Sequence, residues 1–188
     1  VYILETTTFP AEPGKIDFSD IRITGNYPVE LGQTMLSLRM IRKRTIIAQA
    51  KGDPIEIKPL PGDGRPPDFS GAIGDYRITA TARPTDVPVG DPITLTYSIH
   101  GDGPLERLRP PKLDRVKSLT ADFEISGESL GGEVESGRKV FTQTIRALRE
   151  DVTRIPPIPF SYFDPTAGKY QVAYSSAIPL KVRPTQRV

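Results

Sequence analysis

Cysteine and tryptophan are absent from this 188-residue chain; histidine occurs once, as His100, and methionine twice. Without thiols there are no disulfides, cysteine nucleophiles or thiolate metal sites. One imidazole excludes a multi-histidine zinc or iron centre. A chain without cysteine suits oxidising and reducing compartments alike. No apolar run approaches the roughly 18 residues that a membrane-spanning helix requires. Neither sign of charge dominates: 25 Lys and Arg stand against 23 Asp and Glu, a formal net charge of +2. That balance argues against a dedicated nucleic-acid binder. The start, Val1-Tyr2-Ile3-Leu4-Glu5, shows no basic n-region, no following apolar stretch and no initiator Met. It reads as a piece of something longer rather than as a signal peptide.

What is plentiful is proline (20) and glycine (16), about a fifth of the chain. This exceeds the roughly 12 % of an average protein and falls short of the roughly 25–30 % that marks disorder. Between these residues lie runs that alternate apolar and polar. Ile93, Leu95, Tyr97 and Ile99 fall on one face of such a run, and Tyr76–Ala82, Phe123–Ile125, Val140–Ile145 and Ala177–Val182 alternate likewise. Period two is the mark of a half-buried strand. Val89-Gly90-Asp91-Pro92, Gly101-Asp102-Gly103-Pro104, Gly131-Gly132 and Asp164–Gly168 read as the turns between strands. The pattern predicts an all-β chain of antiparallel β-sandwiches. Arg154-Ile155-Pro156-Pro157-Ile158-Pro159-Phe160 carries three prolines that cannot donate to a ladder. It must run along an edge or bend into a strand at Phe160–Phe163. Glu30–Ala50 is ambiguous: Leu31, Met35 and Leu38 fit a helical face, while Leu36, Leu38 and Met40 fit a strand. The β-branched Thr45-Ile46-Ile47 favours strand.

The chain repeats itself. Val1–Ile23 aligns without gaps on Val140–Tyr162, so that Val1 meets Val140, Tyr2 meets Phe141, Ile16 meets Ile155, Ile21 meets Phe160 and Ile23 meets Tyr162. Ile55–Lys58 aligns on Ile178–Lys181 at a different offset, which leaves about 16 extra residues in the first copy, within Asn26–Ala50. Both blocks are the last strands of one module type. Residues 1–59 therefore read as the C-terminal part of a first immunoglobulin-like β-sandwich, only partly present. Residues 72–184 read as a second, complete one. Residues 60–71 read as a Pro-rich linker: Pro59–Asp68 holds four prolines in ten residues, which favours polyproline II and a semi-rigid spacer.

Pro59-Leu60-Pro61, Arg65-Pro66 and Phe69-Ser70-Gly71-Ala72-Ile73-Gly74-Asp75-Tyr76 resemble the module junction of the bacterial BatD-type oxygen tolerance (aerotolerance) proteins. Val89–Leu95, Ile155–Pro165 with Gly168-Lys169-Tyr170, and Ile178–Val182 resemble the same family in the same order, together spanning about two thirds of the chain. The resemblance implies tandem immunoglobulin-like modules of a membrane-anchored protein facing the periplasm, at the extracytoplasmic side of the inner membrane. It also implies a non-enzymatic role in stress or oxygen tolerance, without cofactors. The implied partners are membrane proteins with von Willebrand factor A domains and, indirectly, a MoxR-type AAA+ ATPase. Within the motifs, Phe69, Gly74, Tyr162, Asp164 and Tyr170 are expected to hold the fold and junction together.

Few residues carry chemistry. His100 follows Ser98 at a Gly-Asp-Gly turn with no nucleophile elbow, and reads as an exposed, inert side chain. Asp63, Asp91, Asp102 and Asp164 sit beside Gly or Pro, where Asp caps its own turn; no calcium-loop spacing surrounds them. Arg42-Lys43-Arg44 and the looser Arg107, Arg109, Lys112, Arg115 and Lys117 lack the interleaved aromatics of a single-strand platform. Their functional reading is contact with an acidic partner or anionic headgroups. If Phe160 and Tyr162 face the core, Phe163 is the aromatic left to meet a partner. The expected function is a protein-interaction scaffold, with strand addition at an open edge as one mode. The alternative is a carbohydrate-binding or adhesive sandwich, which requires Tyr97, Tyr162 and Tyr174 flat and exposed on one face.

Overall fold

The computed structural model describes residues 5, 7–18, 21–34 and 37–184. Val1 and Tyr2 of the repeat, and Met35 and Leu36 of the ambiguous stretch, lie outside the described residues. The chain is all-β and divides into two compact units, Val1–Leu60 and Pro61–Val188. No helix among the described residues is long and apolar enough to cross a membrane.

The first unit is one long antiparallel hairpin. β1 (Gly14–Ile16) pairs with β4 (Ile55–Ile57), and β2 (Ile21–Thr34) pairs with β3 (Ser37–Ala50). From Ile16↔Ile55 to Ile21↔Ala50 both chains advance five residues, so the register runs on through the gap. The ambiguous stretch is strand, as its β-branched content favours. Paired side chains share a face, so Ile21, Ile23 and Tyr27 lie with Ala50, Ala48 and Arg44. Ile21, Ile23 and Tyr27 are 41 %, 54 % and 60 % exposed, because no second sheet covers them among the described residues.

In the second unit, β5 (Tyr76–Arg83), β7 (Pro92–Gly101), β8 (Phe123–Glu135) and β9 (Arg138–Ala147) form a four-stranded antiparallel sheet in the order β5-β7-β9-β8. This is the ABED order of an immunoglobulin domain. Its inner face carries the predicted Ile93, Leu95, Tyr97 and Ile99, all fully buried. Tyr97 stacks on Phe141 of the neighbouring strand at 5.5 Å. Gly131-Gly132 does not make the expected turn. It lies within β8, at a register shift between Gly131 and Glu133. The β8–β9 turn is Ser136-Gly137, both with positive φ, as a two-residue hairpin turn of the I′ kind requires.

The opposing layer is a second long hairpin. β10 (Arg154–Ile155) pairs with β13 (Ile178–Pro179), and β11 (Pro159–Asp164) with β12 (Lys169–Tyr174). Between Ile155↔Ile178 and Pro159↔Tyr174 both chains advance four residues. The proline run therefore interrupts the ladder and keeps the register. It does shift the inward phase: Ile155 is buried, and the next inward side chains are Ile158 and Phe160. β14 (Lys181–Arg183) then pairs with β6 (Asp86–Pro88), and this pair is parallel. Its outer rim is an ion-pair clamp, with Arg183 Nε 2.6 Å and Lys181 Nζ 3.2 Å from the Asp86 carboxylate. Ile155, Ile158, Phe160, Leu180 and Val182 meet the four-stranded sheet in one core.

The two hairpins are the same motif. Ile16, which aligns with Ile155, lies opposite Ile55, which aligns with Ile178; Ile155 and Ile178 are themselves partners. The extra residues of the first copy lengthen its arms: β2 and β3 have 14 residues each, β11 and β12 six.

Candidate functional site

Where a third strand of an immunoglobulin domain would follow β7, the chain carries Pro104, Pro110 and Pro111. Prolines cannot serve a central ladder. The stretch instead forms 3-10 turns at Leu105–Arg107 and Leu113–Arg115, then one helical turn, α1 (Lys117–Thr120). Leu105, Leu108, Leu113 and Leu119 anchor it in the core. Lys139 is the polar anchor. Its Nζ donates to the carbonyls of Glu106 (2.7 Å) and Leu108 (3.0 Å) from a side chain that is buried. Burial lowers the ammonium pKa, and the Glu106 carboxylate opposes that shift.

From Pro61 onward the Pro-rich stretch belongs to the second unit and lies as a strap on the outer face of β11 and β12. Phe69 meets the Tyr170 ring edge-on at 5.0 Å, and Tyr170 meets Phe163 at 5.1 Å. The Tyr170 hydroxyl donates to Pro61 O at 2.7 Å, and Ser161 Oγ to Asp68 Oδ2 at 2.8 Å. Arg65 rests over the Phe69 ring. Phe163 is consequently buried, 8 % exposed. It does not meet a partner as expected, because the strap adds a third layer over the sheet face that the two-layer reading left to solvent.

Beyond the strap the outer face opens into a groove with a volume of about 320 Å³. Its floor is two successive cross-strand pairs, Ser161↔Val172 and Pro159↔Tyr174. Pro67 and Asp68 of the strap form one wall; Pro111, Lys112, Arg115 and Val116 form the other. Tyr174 is 65 % exposed. Lys112 and Arg115 are exposed, and neither forms an ion pair with a described residue.

The other predicted residues hold structure. Asp164 Oδ1 accepts from the N–H groups of Thr166 and Ala167, 2.9 Å each, and Oδ2 from Gln171 Nε2 at 2.7 Å. The Ala167 N–H is the leading reason that its carboxyl sits below the usual range. Asp102 Oδ1 accepts from Asp75 N at 2.7 Å. Gly74, at φ +141°, lies where a Cβ would strike Asp102 and the Gly103 backbone. Tyr162 is a core residue edge-on to Tyr76. His100 is half-buried rather than exposed, paired across the sheet with Arg77 and Arg138. Arg42, Lys43 and Arg44 are exposed on β3, opposite Glu30, Pro28 and Tyr27. Tyr97 and Tyr162 are buried and only Tyr174 is open, so the three rings do not form the strip that sugar binding needs. Among the described residues no three His, Cys, Asp or Glu side chains converge as metal ligands.

A family model described as the BatD DUF11-like domain matches residues 80–182, more than half of the chain. The chain belongs to the BatD family. The matched span runs from within β5 to β14, and so takes in both layers of the second unit, the groove floor and the Pro111–Val116 wall. No curated protein and no solved structure matches the chain. Sequence reasoning missed the groove and Lys139. For the groove, the basic residues of 107–117 were the available signal; nothing in the sequence links them to Tyr174.

Proposed function

We propose that this BatD-family chain is a non-enzymatic scaffold that binds other proteins on the extracytoplasmic side of the inner membrane, as part of a membrane-anchored protein linked to oxygen or stress tolerance. The observation that carries this reading is the groove. A packed sandwich displays a groove with a largely apolar floor and cations on one wall, while Asp68, Asp102 and Asp164 are engaged in turns and the strap. Stiff modules that hold a surface at a fixed place suit recognition, because little order is lost on binding. Family membership supports the choice of partners: membrane proteins with von Willebrand factor A domains and, through them, a MoxR-type AAA+ ATPase. The test is in-cell crosslinking of the full-length protein, followed by membrane purification and mass spectrometry. Enrichment of those proteins is the expected result; recovery of envelope polysaccharide alone would refute the reading.

A further inference from the structure

We infer that the groove on β11 and β12 is a docking site for an extended, acidic segment of a protein partner that inserts one aromatic side chain. This deepens the scaffold reading and rests on it. The chain shows on its own strap what the surface accepts. Phe163 and Tyr170 form one cross-strand layer of the outer face, and Phe69, next to Asp68, covers it edge-on. The following two layers, Ser161↔Val172 and Pro159↔Tyr174, continue the strip and are the groove floor. Tyr174 offers a ring there, with Val172 and Val116 beside it. Aromatic pairs of this kind favour edge-to-face contact. Successive layers on one strand lie about 7 Å apart, which matches alternate side chains of an extended peptide.

Charge selects the flanks of that segment. Lys112 and Arg115 stand on the wall, on a stretch that also carries Arg107, Arg109 and Lys117 against only Glu106 and Asp114. The acidic residue of the lining, Asp68, turns its Oδ2 to the Ser161 hydroxyl. A basic segment would meet these cations and be repelled; carboxylates would be attracted and steered in. A flat headgroup surface reaches Tyr174 but not Ser161, which lies between the walls at 4 % exposure.

The test places a photoreactive phenylalanine analogue at Tyr174, and separately at Arg44 on the first hairpin, in the full-length protein in cells. Crosslinked partner peptides are sequenced. The expected peptide at Tyr174 carries carboxylates around an aromatic residue. Combining Lys112→Glu with Arg115→Glu should lower its yield about tenfold, with the yield at Arg44 unchanged. Crosslinks from Tyr174 to lipid, to a basic or purely aliphatic segment, or in a yield indifferent to the charge reversal, overturn the inference. Partners captured at Arg44 and none at Tyr174 sink the groove and leave the scaffold standing. No partner at either position sinks both.

Discussion

Tyr76 shows how much one side chain organises. Its ring packs edge-on against Phe160 and Tyr162, each at 5.7 Å, and its hydroxyl donates to Ile73 O. A Cβ on Gly101 or Gly103 would collide with that ring or its hydroxyl. The two glycines that punctuate the sequence like a turn are therefore a seat for an aromatic. Gly103→Ala should destabilise the fold by about 2–4 kcal/mol, whereas Gly62→Ala, with open space around it, should be near neutral; chemical denaturation of both variants decides. Burial, aided by Asp102, pushes the Tyr76 phenol from 10.0 up to about 12. The folded state thus holds its proton where the unfolded chain has lost it. That stability is intact below pH 10 and disappears as pH climbs through about 12. Lys139, with its pKa lowered, acts in the opposite sense and gains stability as pH rises toward 10.5. Denaturant midpoints across this range should fall at the alkaline end, and fall less steeply in Tyr76→Phe.

At the scale of elements, the proline-broken wall and strap depend on few contacts. Lys139→Met would leave the Glu106 and Leu108 carbonyls without their donor, a cost of about 1–3 kcal/mol. Amide exchange should then quicken over residues 105–116, with β7 unchanged. Phe69→Ala removes the ring that holds the strap on Tyr170. Protease cleavage within residues 61–68 should become faster, while the sandwich core stays protected. Much of this level was legible in the sequence. Strands such as Ile93–Ile99 were legible because one face is wholly buried and the other is not, which forces alternation. The equivalence of Ile16 with Ile155 and of Ile55 with Ile178 was legible through the repeat; that the members of each copy face each other across a hairpin was not. Other features were hidden for physical reasons. Lys139 follows the alternation as a core position, yet a lysine reads as surface until its two carbonyl acceptors are known. Paired glycines serve a bulge as well as a turn, which is why reading Gly131-Gly132 as a turn failed. The groove draws its lining from four separated stretches, and no local period records such a meeting.

For the whole molecule, the two units differ in what supports them. The second has a closed core between two layers; the first has one hairpin with an exposed apolar face, and isolated hairpins are marginal in water. Residues 61–184 expressed alone should unfold cooperatively, and residues 1–60 alone should show no cooperative transition and should bind a hydrophobic dye; calorimetry and dye fluorescence check both. The parallel pairing of β6 with β14 has a consequence in time. Asp86 is made early in the sandwich and Lys181 near its close, so β6 leaves the ribosome or a secretion pore well before the strand that pairs with it. Pairings this distant in sequence form slowly, and until then β6 waits with its edge open. A polypeptide halted at residue 180 should remain a substrate for chaperones, and three further residues should release it.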